Sequence, residues 1–333
     1  MLKKRIVYIF RKPDRFYSIE HVFGLIAKEI ESGGEMEVTR VSLPQAGLNR
    51  SSFFGNRQFI RQLEADLFHV TGDVHYVSLF LPAKKTMLTI HDCNFMYNAR
   101  GIKKWLLHKL LLRWPIGRSR WITTISEATK RDIIRFTGCL PEKIRVIPNP
   151  VSNRIAYQPK IFNKQKPDIL FFGTTMNKNL NRVGPALAGI SCVLHIIGKI
   201  DLPERRMLEG HQIEYRNYLD LSEDDMISTY ASTDFLLFPS TFEGFGMPII
   251  EAQKTGRAVV TSNLSPMKEV AGAGAILVDP ENIDSIREGV LRVIGDESTR
   301  EDIIAKGLEN VRQFDVKKIA GQYLALYKEM SPQ

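Results

Sequence analysis

The sequence predicts an α/β protein with two Rossmann-like domains, each built on a parallel sheet, and three observations support this. Short runs rich in β-branched and aromatic residues alternate with amphipathic segments along the whole chain, a pattern typical of parallel sheets covered by helices. A segment rich in Pro, Asn and Lys at 148–167 interrupts the alternation and is interpreted as an interdomain linker. The length of 333 residues suits two domains of about 150 residues each.

The first predicted domain, 1–152, opens with a strand at 6–10. A helix capped by Ser18 follows, because the apolar residues after Ser18 recur at helical spacing. Further strands are predicted at 36–43, 67–70, 87–90, 121–125 and 144–147. Helices are predicted near 51–65, 101–113 and 126–137.

The second predicted domain, 153–314, repeats the alternation. A final helix at about 315–330 is expected to pack back on the first domain. Ligands of such sheets bind at the carboxyl ends of the strands, so a cleft between the two domains is the expected site. Strands are predicted at 169–172, 193–197, 235–238 and 258–261. Helices are predicted near 178–189, 222–231, 246–255, 282–294, 298–312 and 315–329.

Composition excludes several classes of protein. Apolar residues make up 44% and charged residues 25% of the chain, values that argue against a disordered or fibrous protein. No apolar run approaches the ~18–20 residues of a membrane span. The cysteines Cys93, Cys139 and Cys192 are odd in number and lack metal-binding spacing, which favours a reducing, cytoplasmic setting.

Charge is divided unevenly along the chain. Residues 1–155 carry a net charge of +13 and residues 156–333 carry −4, for a total of +9. A basic half fits nucleic acid, anionic lipid or a phosphorylated acceptor, and a merely solvated basic surface is the alternative. No nucleic-acid motif with interleaved aromatic residues occurs, so no nucleic-acid partner is expected.

The segment 238–252 carries the strongest chemical signal. An apolar strand ends at Pro239, a loop holds Glu243, two glycines bracket Phe245, and a helix then begins. Glycines let backbone amides approach a ligand closely, and a helix N-terminus favours phosphate. Glu251 lies inside the helix, where its carboxylate can accept two ribose hydroxyls.

The spacing from Glu243 to Glu251 resembles the E-x7-E signature of the retaining glycosyltransferases of family 4, which have the GT-B fold. The similarity extends over about residues 85–330, whereas the first 80 residues match in layout only. The other matching segments are 170–173 with 178–180, 230–234, 256–261, 269–272 and 277–280 in the second half, and 89–92, 124–129 and 146–150 in the first.

The resemblance implies that Glu243 binds hydroxyls of a donor sugar, that Lys178 neutralises its diphosphate, and that Glu251 holds the ribose. It also implies that His91 contacts the donor sugar near the reacting carbon. For Lys178, the alternative is an exposed lysine at the start of a helix. For His91, the alternative is a turn histidine packed beside Asp92. The other donor-binding residues it implies are the amides of Gly244, Phe245, Gly246 and Met247, the strand-end residue Gly173, and, near the base, Tyr218 and Leu219.

Two positions depart from the family pattern. Many members have Arg where this chain has Thr174, so Arg182 is a candidate for the second phosphate cation. Many also have a Gly-Gly loop after the first strand. Here that loop contains Arg11, Lys12 and Arg15, which are predicted to meet an anionic acceptor, with phosphate as the alternative.

The expected function is retaining transfer of a hexose from a UDP- or GDP-sugar to a hydroxyl of a glycan or lipid-linked acceptor, in cell-envelope polysaccharide or lipopolysaccharide synthesis. No Asp-x-Asp triplet occurs, so neither a metal nor a cofactor is expected. An epimerase-like GT-B enzyme and a nucleotide-sugar-binding pseudoenzyme are the alternatives.

Residues 103–120 mix basic and apolar side chains at helical spacing, with Trp105 and Trp114 among them. Basic amphipathic helices lie on anionic bilayers, which predicts a peripheral contact with the inner face of the cytoplasmic membrane. A core helix with a basic outer face is the alternative.

Overall fold

A computed structural model of the chain describes residues 3–12 and 18–330. The chain divides into two compact units. Unit 1 comprises Met1–Pro150 together with Val316–Gln333, and unit 2 comprises Val151–Asp315. Each unit is an α/β structure with its own parallel sheet and its own buried apolar core.

In the described part of unit 1, six parallel strands form one sheet in the order β2-β1-β3-β4-β5-β6. The strand order changes direction between β1 and β3, and in such sheets ligands bind beside the carboxyl ends at this switch point. The strands are β1 (Lys4–Phe10), β2 (Met36–Ser42), β3 (Leu67–Val70), β4 (Thr86–Ile90), β5 (Trp121–Thr124) and β6 (Ile144–Val146).

Helices connect these strands and cover the sheet. In α1, the buried residues Val22, Phe23, Ile26 and Ile30 lie at the spacing of a single helix face. Short 3₁₀ turns occur at His75–Phe80, Ala83–Lys85 and Pro141–Lys143. The helices are α1 (Ser18–Ser32), α2 (Arg50–Arg61), α3 (Asn94–Asn98), α4 (Gly101–Leu107), α5 (Trp114–Gly117) and α6 (Glu127–Thr137).

The predicted single helix at 101–113 is interrupted by a π-helical segment at His108–Arg113, which lies between α4 and α5. Pro115 explains the interruption, because it has no N–H to offer the carbonyl of Leu111 four residues earlier. The buried Nδ1 of His75 lies 2.7 Å from that carbonyl oxygen and donates to it instead.

In unit 2, the described residues also form one six-stranded parallel sheet, in the order β12-β11-β10-β7-β8-β9. Its direction changes between β7 and β10, which pair with each other, so this is the switch point of the second sheet. The strands are β7 (Asp168–Phe172), β8 (Val193–Ile197), β9 (Glu214–Tyr218), β10 (Phe235–Phe238), β11 (Ala258–Ser262) and β12 (Ile276–Val278).

The sequence analysis did not predict four elements of unit 2, namely α8, β9, α11 and β12. Strand β9 alternates exposed and half-buried positions, and α11 spans a single turn and a half, so neither carries a strong hydrophobic period. The helices are α7 (Leu180–Leu187), α8 (Leu202–Gly210), α9 (Glu223–Ser232), α10 (Met247–Thr255), α11 (Met267–Ala271), α12 (Ile283–Gly295) and α13 (Glu297–Asn310).

The segment interpreted as a linker, 148–167, is largely attached to unit 2. The amide of Val151 donates to Phe314 and that of Gln158 donates to Thr255. Lys160 forms an ion pair with the buried Asp234. From Val151 onward the segment therefore runs along unit 2 as irregular but anchored chain, which low periodicity alone did not distinguish from a linker.

The last helix, α14 (Val316–Met330), packs against α1 in unit 1. Its buried Tyr327 hydroxyl donates to the Tyr8 hydroxyl at 2.9 Å and lies 2.6 Å from Nδ1 of His69. His69 Nε2 is 2.7 Å from the Thr89 hydroxyl. A buried polar network therefore joins α14 to strands β1, β3 and β4.

Candidate functional site

The glycine-containing turn of unit 2 follows β10 and leads into α10. Gly246 has a φ of 114°, in the left-handed region that favours glycine, and it is the residue directly before α10. The Phe245 ring is buried, and its centroid lies 5.7 Å from the centroid of the Phe314 ring. In the described part of the chain, the amides of 244–247 donate to no protein acceptor, so they remain available to an anion at the helix N-terminus.

Lys178 and Glu243 meet at the switch point of this sheet. Lys178 follows β7 and Glu243 follows β10, and Lys178 Nζ donates to Glu243 Oε1 at 2.6 Å. Their side chains are 21% and 14% exposed, so the pair is mostly shielded from water. Lys178 Nζ also lies 4.9 Å from the centre of the Phe238 ring. The structure thus brings together the two charged residues that the family resemblance assigned to the diphosphate and the sugar.

Two asparagines that sequence reasoning missed hold the Lys178 loop in place. Asn177 donates its side-chain amide to Phe242 O at 2.9 Å and accepts the amide of Thr241 at 2.8 Å through its own carbonyl. Asn179 is fully buried and donates to Pro239 O at 3.0 Å and Pro280 O at 2.6 Å. Lys178 therefore sits between two residues that tie its loop to the β10 loop.

The predicted start of a helix at Lys178 is shifted to Leu180, because Asn179 adopts a left-handed φ of 72° and ends a short 3₁₀ turn, Met176–Lys178. An asparagine beside a turn is a sequence signal for this conformation.

At the end of β7, the backbone of Gly173 lies too close to the Lys178 side chain to leave room for a Cβ. Gly173 has a φ of 80°, and a Cβ there would lie 2.7 Å from Lys178 Cγ, so a side chain would displace the lysine. The Thr174 hydroxyl donates to the carbonyl of Lys199, which ties this loop to the end of β8. Arg182 donates to Asn179 Oδ1 at 2.9 Å, one residue from Lys178.

Glu251 lies in α10, where its carboxylate Oε2 accepts the Tyr230 hydroxyl at 2.6 Å. Burial raises the pKa of Glu251, and the Tyr230 hydrogen bond opposes that rise. Within the described residues, no side chain or amide donates to Oε1. Tyr230 thus orients one oxygen of the carboxylate, a contact that the sequence did not reveal.

Tyr218 and Leu219 lie at the end of β9. The Tyr218 hydroxyl is 2.9 Å from Nδ1 of His195, whose Nε2 is 2.6 Å from Asp168 Oδ1. The Tyr218 carbonyl accepts the amide of Gly198 at 3.0 Å, and Leu219 is exposed. The Tyr218 side chain thus anchors the strand end to β8.

In unit 1, His91 follows β4 and is half-buried. Its Nε2 lies 2.7 Å from Thr71 O and must carry the proton, because a carbonyl only accepts. Gly72 makes room for the ring, since a Cβ there would lie 2.4 Å from His91 Cδ2. In the neutral imidazole, this hydrogen bond fixes the tautomer and makes Nδ1 the acceptor.

The basic residues after β1 differ in their surroundings. Arg11 forms ion pairs with Glu20 at 3.0 Å and Asp73 at 2.6 Å, so its charge is already matched by two carboxylates. Lys12 is exposed. Arg15 lies outside the described residues.

The basic segment 103–120 combines exposed aromatic and apolar side chains with cations. Trp105 is 58% exposed and Trp114 47%, and the adjoining Ile102 is 85% exposed, whereas Leu111 and Leu112 are buried. The segment thus has both an inner core-facing side and an outer apolar and basic side. Among the described helices, none combines the length and apolarity needed to cross a bilayer.

Two family models match adjacent parts of the chain. The model described as Glycosyltransferase Family 4 matches residues 27–153, and the model described as Glycosyl transferases group 1 matches residues 154–310. Together the two matches run without a gap through both units.

Mannosyltransferases are among the similar curated proteins. O-antigen chain mannosyltransferase B of Escherichia coli is 36% identical over 38% of this chain and 32% of its own length. The serotype-specific mannosyltransferase WbdA of Escherichia coli is 32% identical over 69% of this chain and 32% of its own length. O-antigen chain mannosyltransferase RfbU of Salmonella typhimurium is 23% identical over 72% of this chain and 69% of its own length. The chain spans about a third of the length of the first two relatives.

Solved structures share the fold over nearly the whole chain. Sucrose-phosphate synthase of Thermosynechococcus elongatus has a TM-score of 0.77 at 14% identity, covering 98% of this chain and 99% of its own. WaaG, a glycosyltransferase of lipopolysaccharide biosynthesis, has a TM-score of 0.74 at 13% identity, and Anabaena Alr3699/HepE with UDP and glucose has 0.75 at 15%. Both cover 98% of this chain and 100% of theirs. The matched fold, the two adjoining family models and the mannosyltransferase relatives lead to one conclusion: this chain belongs to the family 4-like glycosyltransferases with the GT-B fold.

Proposed function

We propose that the chain transfers a hexosyl group, specifically mannosyl, from a nucleotide sugar to a hydroxyl of a glycan or lipid-linked acceptor in O-antigen or lipopolysaccharide synthesis, with retention of configuration. The observation that carries the proposal is the shielded Lys178–Glu243 ion pair. It lies beside the backbone amides of 244–247, which donate no hydrogen bond within the described residues. The mannosyltransferase relatives support the choice of sugar.

The donor diphosphate is held by Lys178, the amides of Gly244, Phe245, Gly246 and Met247, and the N-terminus of α10. When Lys178 turns from Glu243 to the diphosphate, the Glu243 carboxylate becomes free to accept sugar hydroxyls. Glu251 accepts the ribose hydroxyls through Oε1, while Tyr230 holds Oε2. Arg182, four residues after Lys178 in the chain, is the candidate for the second phosphate cation.

In the transfer step, the bond between the anomeric carbon and the phosphate oxygen breaks. The acceptor hydroxyl oxygen forms the new bond on the same face of the sugar. Its proton passes to an oxygen of the departing phosphate, so no nucleophile of the protein is needed. Lys178 and the amides stabilise the charge that develops on the leaving group. His91, with Nδ1 as an acceptor, contacts the sugar near the reacting carbon.

We further propose that no metal or cofactor takes part, because a lysine, backbone amides and a helix terminus supply the positive counterpart of the diphosphate. Activity that persists unchanged in EDTA supports this part, and activity restored only by a divalent cation contradicts it.

The acceptor is expected to contact Lys12, since Arg11 is already paired with Glu20 and Asp73.

The central test incubates the protein with GDP-mannose, UDP-glucose and UDP-galactose and an isolated lipid-linked oligosaccharide acceptor. NMR of the product distinguishes α from β linkage. We expect mannosyl transfer with the donor's anomeric configuration. Transfer with inversion contradicts the proposal. Formation of a new sugar epimer without acceptor contradicts it in favour of an epimerase. Donor binding without turnover contradicts it in favour of a pseudoenzyme.

Variants connect this activity to the ion pair. Lys178→Met and Glu243→Gln are each expected to lower turnover by roughly 10²–10³-fold, the size of a lost transition-state contact. The double variant removes both charges, so it is expected to regain stability lost by either single variant yet stay inactive. Asp302→Asn, which breaks the exposed Lys306–Asp302 pair of the same unit, is the matched control and is expected to keep full activity.

We also propose a peripheral contact of segment 103–120 with an anionic bilayer, which would bring the protein to a lipid-linked acceptor. The exposed Trp105 and Trp114 support it. Flotation with anionic vesicles is expected at low salt and to weaken as salt rises. Absence of binding at low salt contradicts it.

A further inference from the structure

A surface cavity of about 730 Å³ lies in unit 1, away from the strand ends that carry His91 and Arg11. The end of the π-helical segment and α5 form one wall, and the turn 138–143 forms the other. Gly117 faces open space, since a Cβ built there meets no atom within 4 Å. A smaller cavity of about 390 Å³ shares Leu140 and Lys143 with it, and its lining adds Lys84, Arg120 and the acidic Glu142.

The lining of the larger cavity has four cations and no acidic residue: Lys109, Arg113, Arg118 and Lys143. Over the described ranges 3–12 and 18–330, none of these four forms an ion pair with a carboxylate. The cavity therefore concentrates positive charge that the protein itself does not neutralise.

Two of these cations are held in place by backbone carbonyls. Arg113 donates to Thr137 O at 3.0 Å and Lys143 donates to Ile116 O at 2.6 Å. Burial lowers the pKa of Lys143, and the charge of Arg120 lowers it further, against a rise from Cys139. A carbonyl orients a cation without cancelling its charge, so an incoming anion would relieve the cost of burying it.

The rest of the lining is apolar and continues onto the surface. Trp114, Ile116 and Leu140 line the cavity, and Leu140 is 64% exposed at its rim. Trp105 and Ile102 are exposed on the neighbouring α4. Cations without a carboxylate partner, next to exposed aromatic and aliphatic side chains, match a molecule with an anionic head and a hydrocarbon body.

We infer that this cavity is a binding pocket for the phosphate headgroup of an anionic phospholipid, formed by Lys109, Arg113, Arg118 and Lys143. The inference deepens the membrane contact proposed above: it replaces a diffuse attraction between a basic helix and a bilayer with a defined stoichiometric site. It does not depend on the transferase reaction, because the binding is measured without donor or acceptor.

The first experiment needs no variant. Tryptophan fluorescence, with Trp114 in the lining, is followed while dihexanoyl phosphatidylglycerol is added below its micelle concentration. The comparison ligands are dihexanoyl phosphatidylcholine and inorganic phosphate. We expect saturable one-to-one binding of the anionic lipid, at least about tenfold tighter than either comparison ligand. Equal binding of inorganic phosphate, or no saturable binding of the lipid, overturns the inference.

Two double variants that remove the same charge separate the pocket from its surroundings. Lys109→Gln/Arg118→Gln changes the pocket, and Lys103→Gln/Lys104→Gln changes the neighbouring α4. We expect the pocket variant to weaken lipid binding by roughly tenfold or more and the α4 variant to leave it within about threefold. Equal losses would show diffuse electrostatics, which keeps the membrane contact and overturns the pocket.

Gly117→Glu provides an independent block, because the space beside Gly117 accepts a side chain without a clash. It lowers the net charge by one, as Lys103→Gln does. We expect Gly117→Glu to abolish binding of the short-chain lipid and Lys103→Gln to preserve it. Circular dichroism checks that each variant is folded, and lipid binding retained by folded Gly117→Glu contradicts the inference.

Discussion

At the scale of residues, Lys178 and Glu243 become partners only through the order of the strands. They are 65 positions apart in the chain, yet β7 and β10 are neighbours in the sheet, so their following loops meet. The resemblance to the E-x7-E signature predicted that Glu243 binds hydroxyls of the donor sugar and that Lys178 neutralises its diphosphate. Their direct contact required the parallel pairing of β7 with β10, which spacing along the chain does not contain.

His69 is a second residue whose chemistry depends on its surroundings. It is fully buried between the Tyr327 and Thr89 hydroxyls, and burial lowers its pKa from 6.5 to about 3. The folded protein therefore keeps His69 neutral over a range in which the unfolded chain takes up a proton. The stability tied to this residue is fully present above about pH 6.5 and is lost as the pH falls towards 3.

We predict that unfolding free energy, measured by urea titration, falls more steeply below pH 6.5 in the parent protein than in His69→Gln. The difference in slope is expected to approach ~1.4 kcal/mol per pH unit. The three tryptophans, at 105, 114 and 121, all lie in unit 1 with His69. Their fluorescence therefore follows the unfolding of unit 1. His21→Gln, at an exposed position of α1, is the control. Parallel curves for His69→Gln and the parent would refute the prediction.

At the scale of elements, most strands could be predicted because buried parallel strands are short, continuous and apolar. Those at 67–70, 193–197 and 235–238 have the predicted bounds. The helix predicted near 101–113 is present, but its π-helical segment was missed, because the helical period continues through 108–113 while Pro115 acts on a carbonyl one turn earlier. His75, which donates to that carbonyl, lies 36 positions away, so no local pattern reveals it.

The loop between β7 and α7 is an element whose conformation follows from one residue. Asn179 combines a left-handed backbone with two buried hydrogen bonds to Pro239 and Pro280. The backbone conformation suits glycine and asparagine, whereas the hydrogen bonds require the amide. Replacing Asn179 in two ways separates these contributions.

We predict that Asn179→Gly keeps the loop backbone and loses the hydrogen bonds, whereas Asn179→Ala loses both. Asn179→Ala should be less stable than Asn179→Gly by about 1 kcal/mol, as measured by thermal unfolding followed by circular dichroism. Because Lys178 is the neighbouring residue, both variants should bind a nucleotide-sugar donor more weakly. Asn181→Ala, at an exposed position of α7, serves as the control. An alanine variant as stable as the glycine variant would argue against the backbone contribution.

At the scale of the whole molecule, the chain returns to unit 1 after completing unit 2. Helix α14 supplies Ile319, Tyr323 and Tyr327 to the interior of unit 1, although more than 150 residues separate it from β6. The apolar period of 316–330 predicted a helix with a buried face. The contact of the Tyr327 hydroxyl with His69 and Tyr8 could not be predicted, because these partners lie on strands far away in sequence.

We predict that changes in α14 destabilise unit 1. Tyr327→Phe leaves the buried Tyr8 hydroxyl and His69 short of a partner and should cost about 1–3 kcal/mol. Tyr327→Ala also opens a cavity and should cost roughly 3–5 kcal/mol. Gln322→Ala, on the exposed face of the same helix, should change stability by less than about 0.5 kcal/mol. Tryptophan fluorescence in urea measures all three, since every tryptophan belongs to unit 1. If Tyr327→Ala left the tryptophan transition at the parent's urea concentration, α14 would contribute nothing to holding unit 1 together.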